Sequence, residues 1–224
     1  MTNSTSRNTG VSRRGFLSLC VTTASVVAAG RALADTLPTE PNPNEPSPTP
    51  HETPGGILRG VVSTTPAQAG QNAVVYIENA PVDRITDGKL DDIKLNFVPH
   101  VCVMTAGGTL TYVNHHPFPD SAFSASNEKW DFGVVEANGS RKRKFEKAGI
   151  YTLLCHIHPN QVGFLVVSPS SYFAKADKQG HFELPNVPPG AYDVVAWAPR
   201  MKPERKSVVV TAGAEAVVDF ELKR

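Results

Sequence analysis

From Gly55 onward the chain is broken, every few residues, by glycine, proline, asparagine or aspartate. The apolar runs between these breaks are short and rich in Val, Thr, Tyr and Phe, a composition that fits a pleated, half-buried surface better than a helix. ILRGVVS (57–63), AVVYIEN (73–79) and VGFLVVS (162–168) are strand-like. FVPHVCVMTAGGTLTYVNHH (97–116) reads as two strands around the Gly107-Gly108 turn. The stretch 144–159 supplies another strand, and residues 177–197 carry a different texture with Gly180 and Pro188-Pro189-Gly190 turns. Only 119–128 leaves room for a helical turn. The expected fold class is all-β, as two sandwiches. With 224 residues, 40% of them hydrophobic, the chain is long enough for two cores.

The N-terminus has another character. SRRGFL (12–17) is a twin-arginine pattern, followed by the apolar FLSLCVTTASVVAAG and by Ala32-Leu33-Ala34, a small-x-small cleavage site. This reads as a Tat export signal removed after Ala34, and it places the mature protein in the periplasm. The apolar run is shorter than the ~20 residues a spanning helix needs, so no membrane span is expected after cleavage. Cleavage removes Arg7, Arg13, Arg14 and Arg31 and no acid. The 22 basic residues then fall to 18 against 21 acidic ones, a net charge of −3. Residues 35–54 hold seven prolines and almost nothing apolar. Such a segment tends toward extended polyproline II, a tether of about 60 Å at ~3.1 Å per residue.

The chemistry concentrates in YTLLCHIHPNQVGFLVV (151–167). Cys155, His158 and Gln161 sit three residues apart where a strand runs out into a loop. A cysteine and a histidine so placed can face one metal. A weak axial donor and a second histidine from a distant loop would complete a mononuclear His₂Cys copper site. Four of the seven histidines (His115, His116, His156 and His158) lie in the two presumptive ligand loops.

F-V-P-H (97–100), G-G-T-L-T-Y-V-N (107–114), A-G-I-Y-T-L-L-C (148–155) and I-H-P (157–159) together resemble the cupredoxins, plastocyanin and amicyanin among them. The chain as a whole resembles bacterial methylamine utilization proteins of plastocyanin-like type. The resemblance implies a Greek-key sandwich holding one copper ion, with Cys155 and His158 as ligands, and a role in single-electron transfer or copper handling. It departs from the family in two places. Gln161 stands where the family has methionine, a harder donor that favours Cu(II). Asp120 stands where the family has its other histidine, six residues after Asn114, and Ser121 stands where an asparagine usually steadies the ligand loops.

Three readings follow from that departure. Asp120 itself ligates, giving a harder site that also suits Zn(II). Or a neighbouring histidine takes its place, His116 or His115 on the same loop, or His100 or His156. Or the site is degenerate and the sandwich is a non-redox scaffold.

Residues 177–197 resemble the carboxypeptidase-regulatory-like, prealbumin-like sandwich, in which strands such as 57–63 and 73–79 usually come first. The expected organisation is a signal over 1–34, a linker over 35–56, and one discontinuous sandwich from 57–79 with 170–224. The cupredoxin-like domain over 80–169 is inserted in it. Cys102, between Val101 and Val103, reads as core, though a disulfide to Cys155 is open to an exported protein. The basic run Arg141, Lys142, Arg143 and Lys144 reads as a solvated edge or as a docking patch for an acidic redox partner. No Ser–His–acid order, phosphate loop or nucleic-acid signature is present, so no enzyme activity and no nucleic-acid partner is expected.

Overall fold

The computed structural model describes residues 54–224 apart from Pro66. The expected Tat signal and most of the expected proline-rich linker, with His51, lie outside the described residues.

Seventeen strands are formed: β1 (Gly56–Thr64), β2 (Val74–Ile77), β3 (Gly88–Ile93), β4 (Asn96–Val98), β5 (Val101–Thr105), β6 (Thr109–Asn114), β7 (Asp120–Ser124), β8 (Trp130–Val135), β9 (Ser140–Lys144), β10 (Gly149–Leu154), β11 (Val162–Ser168), β12 (Phe173–Lys175), β13 (His181–Val187), β14 (Gly190–Trp197), β15 (Glu204–Val210), β16 (Glu215–Val217) and β17 (Phe220–Leu222). A single 3-10 turn, Ala67–Asn72, joins β1 to β2. Among the described residues no helix is long and apolar enough to cross a membrane. The turn expected near 119–128 is instead the strand β7, which pairs antiparallel with β8 and touches β10 through Leu154 and Phe123. Its local sequence is turn-like, and the pairing that makes it a strand comes from residues far along the chain.

The strands form four sheets, stacked as layers. The first has β13-β1-β16, with β17 also pairing β1, and the second has β12-β2-β14-β15. The third runs β5-β11-β10-β7-β8 and the fourth β4-β3-β6-β9. Residues 56–77 therefore pair only with strands C-terminal to 172, while the strands between form two sheets of their own. The chain leaves the first pair of sheets after β2 and returns before β12. Ser170 and Ser171 tie the two crossings together: Ser170 Oγ donates to Ile77 O at 2.6 Å, and Ser171 Oγ accepts from Asp83 N and Arg84 N.

Side-chain alternation along the strands fills three interlayer spaces. Leu58, Val62, Val75, Ile77, Leu184, Val194 and Phe220 close the space between the first two sheets. Leu90, Phe97, Met104, Leu110, Tyr112, Phe145, Tyr151 and Leu165 close that between the last two. The opposite faces of the two middle sheets meet through Val74, Val101, Val166 and Trp197, joined by Tyr76, Val103, Ile150 and Phe164. Strand β11 shows how this is encoded. Leu165 and Val167 point into one core, whereas Phe164 and Val166 point to the other side, so both faces are apolar. Phe164 meets Trp197 edge-on at 5.4 Å, and Lys175 Nζ donates to Val101 O across the same joint.

Truncating the aromatic centre of that joint should be costly. Trp197→Ala is expected to lose about 3–5 kcal/mol, the range for emptying a buried large aromatic site. In chemical denaturation the two sandwiches, which now share a face, should then unfold at separate midpoints.

Candidate metal centre

Three segments bring the chemistry together at one end of the third and fourth sheets. Strand β6 ends at Asn114, whose buried side chain organises the loop that follows. Its Nδ2 donates to Phe118 O, Val135 O and Glu136 O at 2.9, 3.1 and 3.2 Å, and its Oδ1 accepts from His116 N at 2.9 Å. This brings the chain into β7 with Asp120 at its first position, opposite Val135. The second segment is the turn from Cys155 to Gln161 between β10 and β11, closed by Gln161 N donating to His158 O. The third is β3, which carries Asp92.

Asp120 is fully buried. Its Oδ1 accepts from the Cys155 thiol at 2.8 Å and from its neighbour Ser121 N at 2.7 Å. Its Oδ2 lies 3.2 Å from His158 Nδ1 but makes no aligned hydrogen bond. His158 Nδ1 is in turn 3.6 Å from Cys155 Sγ. Asp120, Cys155 and His158 thus offer an oxygen, a sulfur and a nitrogen within 4.8 Å of one another, the spacing of ligands on one ion. Burial alone would raise the Asp120 carboxyl, but hydrogen bonds from the Cys155 thiol, Ser121 N–H and the Asp92 side chain, with the nearby His158, together hold the group below the usual carboxylate range.

Around the sulfur, the N–H groups of Ile157 and His158 point at Cys155 Sγ from 3.2 and 3.3 Å. Ser121 Oγ sits 3.5 Å from the same atom and accepts from His156 N at 3.0 Å. The serine in the loop-steadying position therefore ties the β7 segment to the cysteine turn. Gln161 is buried, and neither its Oε1 nor its Nε2 has a partner. Buried amide atoms are almost always hydrogen-bonded, so this pair calls for a ligand or water.

The remaining histidines separate clearly. His116 is buried and faces Asp92, Nε2 to Oδ1 3.0 Å, not the sulfur. With Asp92 and Asp120 it forms a second group whose ligand atoms lie within 4.8 Å. His115 pairs with Asp91, and His156 pairs with Asp131 while stacking on Phe123 at 3.9 Å. His100 lies edge-on to Phe164, and His181 is an exposed partner of Asp177. None of these four joins either group among the described residues. Cys102 and Cys155 are both free thiols and both buried. Cys102 is core, donating to Lys89 O.

The basic run lies on β9, paired only to β6 at the edge of the fourth sheet. Arg143 is held by Glu128 and Lys144 by Glu146.

Asp92 is the residue that the sequence did not flag. It is fully buried, and its Oδ2 accepts from Tyr112 OH at 2.8 Å. Strict alternation offered the signal: Leu90 points inward, so Asp92, two residues on, must as well.

Two outcomes follow from this geometry. Burial pushes the Cys102 thiol up to about 11, so iodoacetamide at mildly alkaline pH should leave Cys102 unmodified until the chain is unfolded, read by peptide mass mapping. Asn114→Ala, which strands buried carbonyls, should cost about 1–3 kcal/mol in a denaturant titration.

Residues 164–223 match the family model of the carboxypeptidase regulatory-like domain. Solved structures similar to part of the chain include a novel purple cupredoxin from Nitrosopumilus maritimus, at 20% identity over 37% of this chain and 100% of that one, TM-score 0.35. They also include amicyanin variants. A methionine-to-alanine variant in the Cu(I) form is 18% identical over 42% of this chain and 98% of that one, TM-score 0.35. A methionine-to-glutamine variant, also Cu(I), is 20% identical over the same shares, TM-score 0.34. No curated protein matches the chain. By its strand pairing and layers the chain is an all-β protein built from two sandwiches, and its C-terminal residues match the carboxypeptidase regulatory-like family model.

Proposed function

We propose that this chain is an exported, cupredoxin-like metal-binding protein that holds one copper ion at Asp120, Cys155 and His158, with Gln161 as the axial donor. In this reading it carries single electrons or handles copper in the periplasm. The observation that carries the reading is the convergence of a thiol, an imidazole and a buried carboxylate within 4.8 Å. Beside it stand three buried polar atoms without partners, Asp120 Oδ2 and both side-chain atoms of Gln161. The two oxygens, Asp120 Oδ2 and Gln161 Oε1, have lone pairs free for a metal ion.

The residues fit a copper ion of atypical type. Thiolate and imidazole are two of the three strong donors of blue-copper centres, and the third donor, a second histidine, is replaced here by a carboxylate. Copper in this place would supply a one-electron couple. The two oxygen donors favour the Cu(II) form and make Zn(II) a competitor.

The chain's own part is to fix the donors. Two backbone N–H groups suit a negatively charged sulfur at Cys155. The Asn114 and Ser121 hydrogen bonds hold the two ligand loops in register. His158, a quarter exposed, is the donor nearest solvent. The basic edge of β9 would be the contact for an acidic partner, with Arg141 and Lys142 contributing most, since Arg143 and Lys144 are already ion-paired.

The test is titration of the reduced protein with Cu(II), recording the visible spectrum and bound copper. An intense thiolate-to-copper band at one copper per chain is expected, abolished in Cys155→Ser and lost or strongly shifted in Asp120→Ala. Gln161→Met should keep the band and raise the reduction potential. A protein that takes up no copper and is indifferent to Cys155→Ser would instead be a scaffold with a degenerate site.

A further inference from the structure

We propose that Asp92, His116 and Asp120 form a second cation site, which shares the Asp120 carboxylate with the first but does not depend on Cys155. Asp92 and Asp120 are both fully buried, and His116 nearly so, with ligand atoms within 4.8 Å of one another. Two carboxylates withdrawn from water at that separation need compensating charge. Among the described residues neither is paired with a lysine or an arginine: the only ion pairs of Asp92 and Asp120 are with His116 and His158.

Hydrogen bonding inside the group leaves it unfinished. Tyr112 OH satisfies Asp92 Oδ2. Asp92 Oδ1 faces His116 Nε2 at 3.0 Å, but Leu95 N–H points at that same nitrogen from 3.2 Å. One nitrogen cannot both donate to Asp92 and accept from Leu95. His116 Nε2 therefore satisfies one of these two neighbours and not both. Asp120 Oδ2 makes no hydrogen bond, so the carboxylate that the two groups share still has a lone pair free for a cation.

The donor chemistry sets the class of ion. Two carboxylates and an imidazole, without sulfur, suit a divalent ion of borderline hardness such as Zn(II) or Mn(II). The Tyr112 hydroxyl on Asp92 orients one ligand, as outer-shell donors do in metal sites. The Phe118 ring, stacked on His116 at 4.9 Å and tilted 10°, holds the imidazole plane.

Zinc titration of the reduced, metal-stripped protein by calorimetry tests the assignment. The parent should bind two zinc ions per chain, and Asp92→Asn and His116→Ala should each bind one. Copper loading of Asp92→Asn should still give the thiolate band, which shows both that the variant is folded and that the first site survives. Cys155→Ser combined with His158→Ala should keep one zinc, and adding Asp92→Asn should abolish it. One zinc or none in the parent overturns the second site, as does a parent stoichiometry that neither Asp92→Asn nor His116→Ala lowers, or a Cys155→Ser/His158→Ala protein that binds none. The two claims fail separately: zinc retained without Cys155 and His158, in a parent with no copper band, leaves the second site standing and removes the first.

Discussion

A carboxylate buried at the meeting point of three loops is the constraint on which the functional end of this molecule depends. Asp120 has no solvent to stabilise its charge, and among the described residues its surroundings supply a thiol, one N–H, two imidazoles and the Asp92 carboxyl. A buried charge of this kind persists when geometry and hydrogen bonds fix it, or when a cation answers it. The structure shows the fixing in detail. Asn114 turns the chain with four hydrogen bonds, and Ser121 clasps the cysteine turn. The unpartnered atoms of Asp120 and Gln161 show what the fixing leaves open.

That precision rests on the layers beneath. Strand β11 is apolar on both faces, so it belongs to two cores at once and carries the end of the cysteine turn on a strand that cannot shift without disturbing either. The glycine at the other end of the same sandwich plays a smaller part. Gly107, at φ +87°, turns β5 into β6 in a conformation that side chains rarely adopt, and its N–H bonds Phe145 O. The companion sandwich packs its middle sheet against the back of the third sheet through Trp197 and Val74, on the face away from the Leu165 core. It buttresses the metal-side sandwich without contributing a side chain to either ligand group among the described residues.

Much of this was legible in the sequence. Short Val- and Tyr-rich runs between Gly and Pro breaks gave the strands, because period-two burial is written directly in residue order. The spacing of Cys155, His158 and Gln161 placed three candidate donors together, because all three hang on a single turn. The other half was harder. Asp120 was found by its position after Asn114, but whether it or His116 would face the sulfur depends on how the loop turns, which two backbone carbonyls far from Asn114 in sequence, those of Val135 and Glu136, help to decide. Strand β7 was missed because Phe118-Pro119 and its serines read as a turn, and only pairing with β8 makes it extended. Asp92 was passed over because 88–93, with its lysine and two adjacent aspartates, was not among the apolar runs read as strands, although Leu90 two residues before it marks the inward face.

The central claim is that a sulfur, an imidazole and the Asp120 carboxylate bind one copper ion together. X-ray absorption at the copper edge, on protein loaded with a single equivalent, tests this most directly. The account predicts a first shell of one short sulfur, one imidazole nitrogen and oxygen donors, with an oxygen lost in Asp120→Ala. A shell of nitrogen and oxygen alone, without sulfur, or one unchanged by Asp120→Ala, would contradict it.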